Sequence, residues 1–153
     1  MKITASVEYA MQALLEIANS TQAGRPIAAS EIAKSQNISI KFLENILMKL
    51  RRGSIVRSIR GASGGYILAL DAKKISVADV IRCIEGPLAA VGDKAPESAK
   101  YRGNAKNLTD AWIATRVSLR DALEEISLEQ LMRGEYNRDV TALLNRKDAW
   151  KRR

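Results

Sequence analysis

Residues 31–70, EIAKSQNISIKFLENILMKLRRGSIVRSIRGASGGYILAL, carry the pattern that decides the fold. Glu31 to Gln36 reads as a short helix, ended by Asn37 because asparagine tolerates the left-handed backbone that a sharp turn needs. A longer helix starts near Ser39, a good N-cap, and Gly53 stops it. Leu43, Ile46, Leu47 and Leu50 fall on one face of that helix, with Lys41, Glu44, Asn45 and Lys49 elsewhere. Two β-type runs follow, SIVRSI and YILAL, separated by RGASGG, whose glycines permit the backbone angles of a hairpin loop. Short helix, tight turn, longer helix and Gly-rich hairpin are the order of a winged helix-turn-helix.

Working outward, Val7, Ala10, Met11, Leu14, Ile17 and Ala18 recur at helical spacing and predict an amphipathic first helix, which TQAGRP breaks. On the other side, Ser76 and Asp79 form a capping-box start for a helix through Cys83 and Ile84, closed by Gly86 and Pro87. Ala89 to Lys106 lack periodicity and read as a loop. Asn107 to Ile126 predict a long helix with Leu108, Trp112, Leu119, Leu123 and Ile126 along one stripe, and such a stripe needs a partner surface. SLEQ at 127–130 is a second capping box opening a short helix, and the tail NRKDAWKRR is polar. The expected architecture is mostly α with a small β-hairpin wing. Its units are a winged helix-turn-helix over 1–88, a linker over 89–106, a long dimerisation helix over 107–126 and a short helix with a tail over 127–153.

With 153 residues and 46% hydrophobic content, the chain can bury one core. Lys and Arg number 25 against 17 Asp and Glu, a net charge of +8 that favours a polyanionic partner, nucleic acid first. Histidine is absent, which removes Ser-His-Asp and Cys-His catalysis, histidine-ligated metals and an imidazole switch, so the chain reads as a non-enzyme. Its single cysteine, Cys83, cannot form an intramolecular disulfide and fits a reducing compartment. Glu8 and Glu16 interrupt the apolar N-terminal residues, and no apolar run approaches a membrane span. The expectation is a cytoplasmic protein without membrane contact.

The long helix of the motif suits a major groove: Lys41 can reach phosphate or guanine, Asn45 adenine, and Glu44 can accept from cytosine. Ser39 can contact phosphate through its hydroxyl and the neighbouring helix amides. The other reading of Lys41, Glu44, Asn45 and Lys49 is an ordinary solvated face, and Arg51 and Arg52 equally complement the helix dipole. In the hairpin, Arg57 and Arg60 enter a loop containing Gly61, Gly64 and Gly65, offering cations and close backbone approach to a minor groove. A merely tight hairpin is the alternative.

Together YAMQALLEIA, the run from EIAKSQNISI through GGYILA, and ISVADVIRCIEGPL resemble the Rrf2 family of bacterial regulators, which includes IscR, NsrR and CymR. The resemblance is close over about residues 1–90 and looser over the Trp112 helix and EEISLEQLM. It implies a homodimeric transcription regulator binding a pseudo-palindromic operator in double-stranded DNA, usually as a repressor. By the same resemblance Ser39, Lys41 and Glu44 sit in the recognition helix, Arg60, Gly61, Ser63 and Gly64 form the wing, and the long helix crosses its mate. Two departures are visible: Asn37 replaces a glycine common before IS, and Gly53-Ser54 inverts the usual glycine position. Cluster-binding members place three cysteines in the loop before the long helix, where this chain has none, so no cofactor is expected. Glu8 occupies the position resembling a carboxylate ligand but reads as a surface or interface carboxylate. Cys83 reads as a buried inert thiol, with oxidation sensing left open because Arg82 adjoins it. Trp112 reads as a core or interface residue, with a ligand pocket as the alternative. The effector, a small molecule or a protein, is not legible. The rival to DNA binding is a winged-helix module that binds a protein partner.

Overall fold

The computed structural model describes residues 2–151; Met1, Arg152 and Arg153, at the ends of the first and last expected units, lie outside the described residues. Helices α1 (Ala5–Gln22), α2 (Ala29–Gln36) and α3 (Ile40–Arg52) precede strands β1 (Val56–Ile59) and β2 (Gly65–Leu68). Helices α4 (Val77–Glu85), α5 (Leu108–Glu124), α6 (Leu128–Arg133) and α7 (Arg138–Leu144) follow, with short 3-10 turns at Ala72–Lys74, Pro96–Ser98 and Gly103–Ala105.

The core forms where the apolar faces of α1, α3 and α4 meet. Leu14 and Ile17 of α1, Leu43, Leu47 and Leu50 of α3, and Val80 of α4 are fully buried. Removing each such side chain from water contributes about 1.5–3 kcal/mol, so the face that α3 turns inward is fixed by burial. Asn37 ends α2 in the left-handed conformation (φ 53°, ψ 45°), as its residue type predicts. That bend lets α3 leave α2 as the second helix of a helix-turn-helix.

The strands pair antiparallel, Val56 opposite Leu68 and Ile59 opposite Gly65. A third piece of backbone completes the ribbon: the Ile27 amide donates to the Tyr66 carbonyl (3.1 Å) and the Tyr66 amide to the Ile27 carbonyl (2.8 Å). Gly65 is required there, since a Cβ would stand 2.3 Å from the Ile27 carbonyl oxygen. Thr21 fastens the ribbon to α1, its hydroxyl accepting from the Leu68 amide at 3.1 Å while donating to the Ile17 carbonyl at 2.7 Å.

Both capping boxes form, Ser76 with Asp79 and Ser127 with Gln130. They lie side by side: the Val77 amide donates to the Ile126 carbonyl and the Leu128 amide to the Ile75 carbonyl, each at 2.9 Å. Leu128 is fully buried with the residues of α1 and α3, so α6 completes the core instead of trailing from it. The sequence pattern assigns no helix to 138–144. The structure has one, because Asn137 caps it (Oδ1 accepting from the Val140 amide, 2.9 Å) and Val140 is buried.

Beyond α3, packing and backbone conformation make different demands. A Cβ on Gly53 would meet the Cys83 sulfur at 2.5 Å, so a larger residue at 53 must turn that thiol aside. The left-handed residue is the next one, Ser54 (φ 57°). This explains the inverted glycine order: the residue next to the thiol is the small one, and serine bears the unfavourable φ, at a cost of about 1–2 kcal/mol. The Cys83 thiol donates to the Lys49 carbonyl (3.4 Å) and is half-buried, not fully buried as its sequence setting suggests. Burial pushes the thiol pKa up, outweighing the Lys49 ammonium and the Gly53 amide, which pull it down. Arg82, the expected activator, is instead committed to Asp79 and Glu124.

Replacing Ser54→Gly should raise stability by about 0.5–1 kcal/mol through relief of the left-handed backbone, read as a higher urea midpoint at unchanged slope. A lower midpoint would contradict the assignment of strain to this residue. Iodoacetamide should modify Cys83 with a pH midpoint above the ordinary thiol value of about 8.5; a midpoint below it would restore an activated thiol.

Candidate nucleic-acid interface

Because Leu43, Ile46, Leu47 and Leu50 are buried, the opposite face of α3 is fixed as the exposed one. Lys41, Glu44 and Asn45 lie on it within the first two turns, all exposed. Asn45 donates to the Lys41 carbonyl (3.2 Å), a weak contact within its own helix that a base edge can replace. Ser39 stands at the N-cap position, its carbonyl accepting from the Leu43 amide (2.9 Å), yet its hydroxyl makes no capping bond. The exposed hydroxyl and the first amides of α3 are therefore available to a phosphate.

Lys49 departs from the polar face expected of it. Its ammonium donates to the Ile84 carbonyl at 3.1 Å, so it clamps the last turn of α4 and is not free for a groove. Met48, overlooked in the sequence, is exposed on the same outer face, three and four residues beyond Asn45 and Glu44. The 41-45-48-52 spacing, which also brings Arg52 onto that face, was the signal that could have found it. A methionine there offers apolar contact to a thymine methyl.

In the wing, Arg57 pairs with Ile67 across the ribbon, and both Arg57 and Arg60 are exposed. Among the described residues neither forms an ion pair, so both cations are available to phosphate. A turn closes the tip, the Gly64 amide donating to the Gly61 carbonyl at 2.9 Å. Gly61 adopts φ 113°, which disfavours a side chain, and a Cβ on Gly64 would lie 2.4 Å from the Ile59 carbonyl oxygen. Ser63 is exposed between them. The predicted residues thus fall into two groups, one on the outer face of α3 and one at the wing tip, joined by the turn at Gly53 and Ser54.

The family model described as Rrf2, iron-dependent transcriptional regulator, matches residues 3–134. A Mycobacterium tuberculosis chain named as an HTH-type transcriptional regulator is 41% identical over 143 residues, covering 94% of this chain and 88% of its own. IscR of Xenorhabdus nematophila is 34% identical over 154 residues, covering 100% of this chain and 90% of its own. Among solved structures, CymR, the global cysteine regulator of B. subtilis, superposes with a TM-score of 0.73 at 31% identity, covering 88% of this chain and 98% of that one.

The family's description names iron, for which this chain holds few thiol or imidazole donors. The chain has one cysteine and no histidine, and the 89–106 loop holds no thiol and two carboxylates, Asp93 and Glu97. Glu97 is held by Arg116 (2.6 Å), Glu8 is exposed, and among the described residues no three His, Cys, Asp or Glu side chains converge. These residues do not fit an iron-sulfur cluster, which requires several thiolates. No helix among the described residues is long and apolar enough to cross a membrane. With a helix-turn-helix and wing in place and the match running through both, the chain belongs to the Rrf2 family of DNA-binding, helix-turn-helix transcription regulators.

Proposed function

We propose that the protein acts in the cytoplasm as a homodimeric repressor of a pseudo-palindromic operator, without a resident iron-sulfur cluster and without enzymatic activity. In this reading residues 1–88 bind DNA, 89–106 link, 107–126 dimerise and 127–153 close the fold. The observation that carries it is the state of α5, a helix of 17 residues none of which is buried. Leu123 packs on the chain's own core. Leu108, Trp112, Thr115, Leu119 and Ala122 form a separate stripe at alternating spacings of four and three, the periodicity by which two helices pack along each other. Leu108 and Trp112 remain more than a third exposed, so a second copy of α5 supplies the missing partner. Two-fold symmetry then presents two α3 helices to successive major grooves, roughly 34 Å apart, with Ser39, Lys41, Glu44 and Asn45 in each groove and Arg57, Arg60 and the Gly61–Gly64 tip beside it. The donor chemistry above supports a regulator whose signal is something other than cluster assembly.

Operator selected from random duplexes should be bound with an affinity that falls steeply with salt. Lys41→Ala and Arg60→Ala should each weaken binding about tenfold while the protein stays folded. Leu119→Glu should convert a dimer to a monomer in sedimentation and abolish operator binding. A wild-type protein that shows no preference among duplexes, or that sediments as a monomer, would refute the proposal.

A further inference from the structure

A cavity of about 440 Å3 lies between the loop after α4 and the side of α5 that faces its own domain. Four cations line it, Arg82, Lys94, Arg116 and Arg120, against two carboxylates, Glu85 and Asp93. Small apolar residues of the 87–96 loop make the rest of the wall.

The cations are incompletely satisfied. Arg116, with its side chain about three-quarters covered (24% exposed), places one guanidinium nitrogen 2.6 Å from Glu97, but its Nε is buried and has no acceptor. That nitrogen is closed to solvent, whereas Lys94 lines the cavity and forms no ion pair among the described residues. Arg120 reaches only Glu124, at 3.8 Å, and Arg82 already engages that carboxylate. Glu85 accepts from the Thr4 hydroxyl, so one of the two carboxylates is already turned to the start of α1. Lys94 without an ion pair, Arg120 held only at 3.8 Å and an apolar wall together suit a ligand with an anionic head and an apolar body.

We propose that this cavity binds a small organic anion, a carboxylate or phosphate on an apolar body. Resting on the regulator reading above, this ligand is the effector. Two features suit that role. Arg120 lies well round α5 from the Leu108–Trp112–Leu119 stripe and Arg116, four residues after Trp112, borders it, so a dimer built on that stripe leaves the Arg120 side of the cavity open. Arg82 and Glu85 belong to the turn of α4 whose Ile84 carbonyl accepts from Lys49 of α3, so the cavity wall is continuous with the contact that anchors the recognition helix.

The test is calorimetric titration of the full chain, free of DNA, with phenyl phosphate and with benzoate; the tighter of the two names the head group. Saturable one-site binding is expected, weakened at least tenfold by Arg116→Gln and by Arg120→Gln and unchanged by Lys41→Ala. Should Arg116→Gln unfold the loop, Arg120→Gln decides alone, since its side chain is half exposed and holds no buried contact. Absence of saturable binding by either probe, or binding indifferent to Arg120→Gln, overturns the cavity proposal even if the protein grips an operator. A chain that binds a probe through these arginines but ignores every duplex supports the cavity and removes the operator reading.

Discussion

The burial of one face of α3 is the constraint from which the interface follows. Leu43, Leu47 and Leu50 are fully covered and Ile46 nearly so, and a helix with four such residues on one side cannot rotate about its axis without returning them to water. Lys41, Glu44 and Asn45 are therefore turned outward by the same energy that holds the core together. Two further contacts fix the far end of the helix: the Lys49 ammonium on the Ile84 carbonyl, and Gly53 against the Cys83 sulfur. A helix held in this way fixes the direction from which Lys41, Glu44 and Asn45 leave the backbone, which the proposed recognition role requires.

Helix α5 shows the opposite condition. It is attached to the domain by Leu123, by Arg82 on Glu124 and by Arg116 on Glu97, and it keeps an apolar stripe uncovered. The same helix thus carries two kinds of face, one suited to a second copy and one lined with arginines along a cavity. A signal received at α5 has a short route to α3, because α4 lies between them and bonds to both.

The donor chemistry of this chain sits apart from the iron in its family's description. Without histidine, and with its one thiol pushed toward the neutral form by burial, the chain offers iron few suitable donors. Arginines and small apolar residues occupy the loop and helix that border the cavity. The winged unit is independent of that change, since its core residues come from α1 to α4 and α6.

Much of this was legible in the residues themselves. Periodicity predicts α1, α3 and α5, because each carries a stripe whose spacing only a helix can bring together, while a capping box and a Gly-Pro stop bound α4. Asn37, the two capping boxes and the wing glycines act through local backbone geometry, so they too could be read directly. What the sequence could not supply was contact between distant segments. Lys49 has the same chemistry as Lys41, and only the arrival of Ile84 at 3.1 Å separates a clamp from a groove residue. The thiol of Cys83 was expected to respond to neighbouring Arg82, but Asp79 and Glu124 claim that guanidinium while α3 covers the sulfur. Leu123 reads as part of the outward stripe until the core is seen to hold it. By itself the sequence determined which faces must be buried and where the chain must turn, because those follow from side-chain chemistry and local φ/ψ limits. Tertiary structure alone decided which charges are spent inside the molecule and which remain for a partner, because pairing depends on distances between residues far apart in the chain.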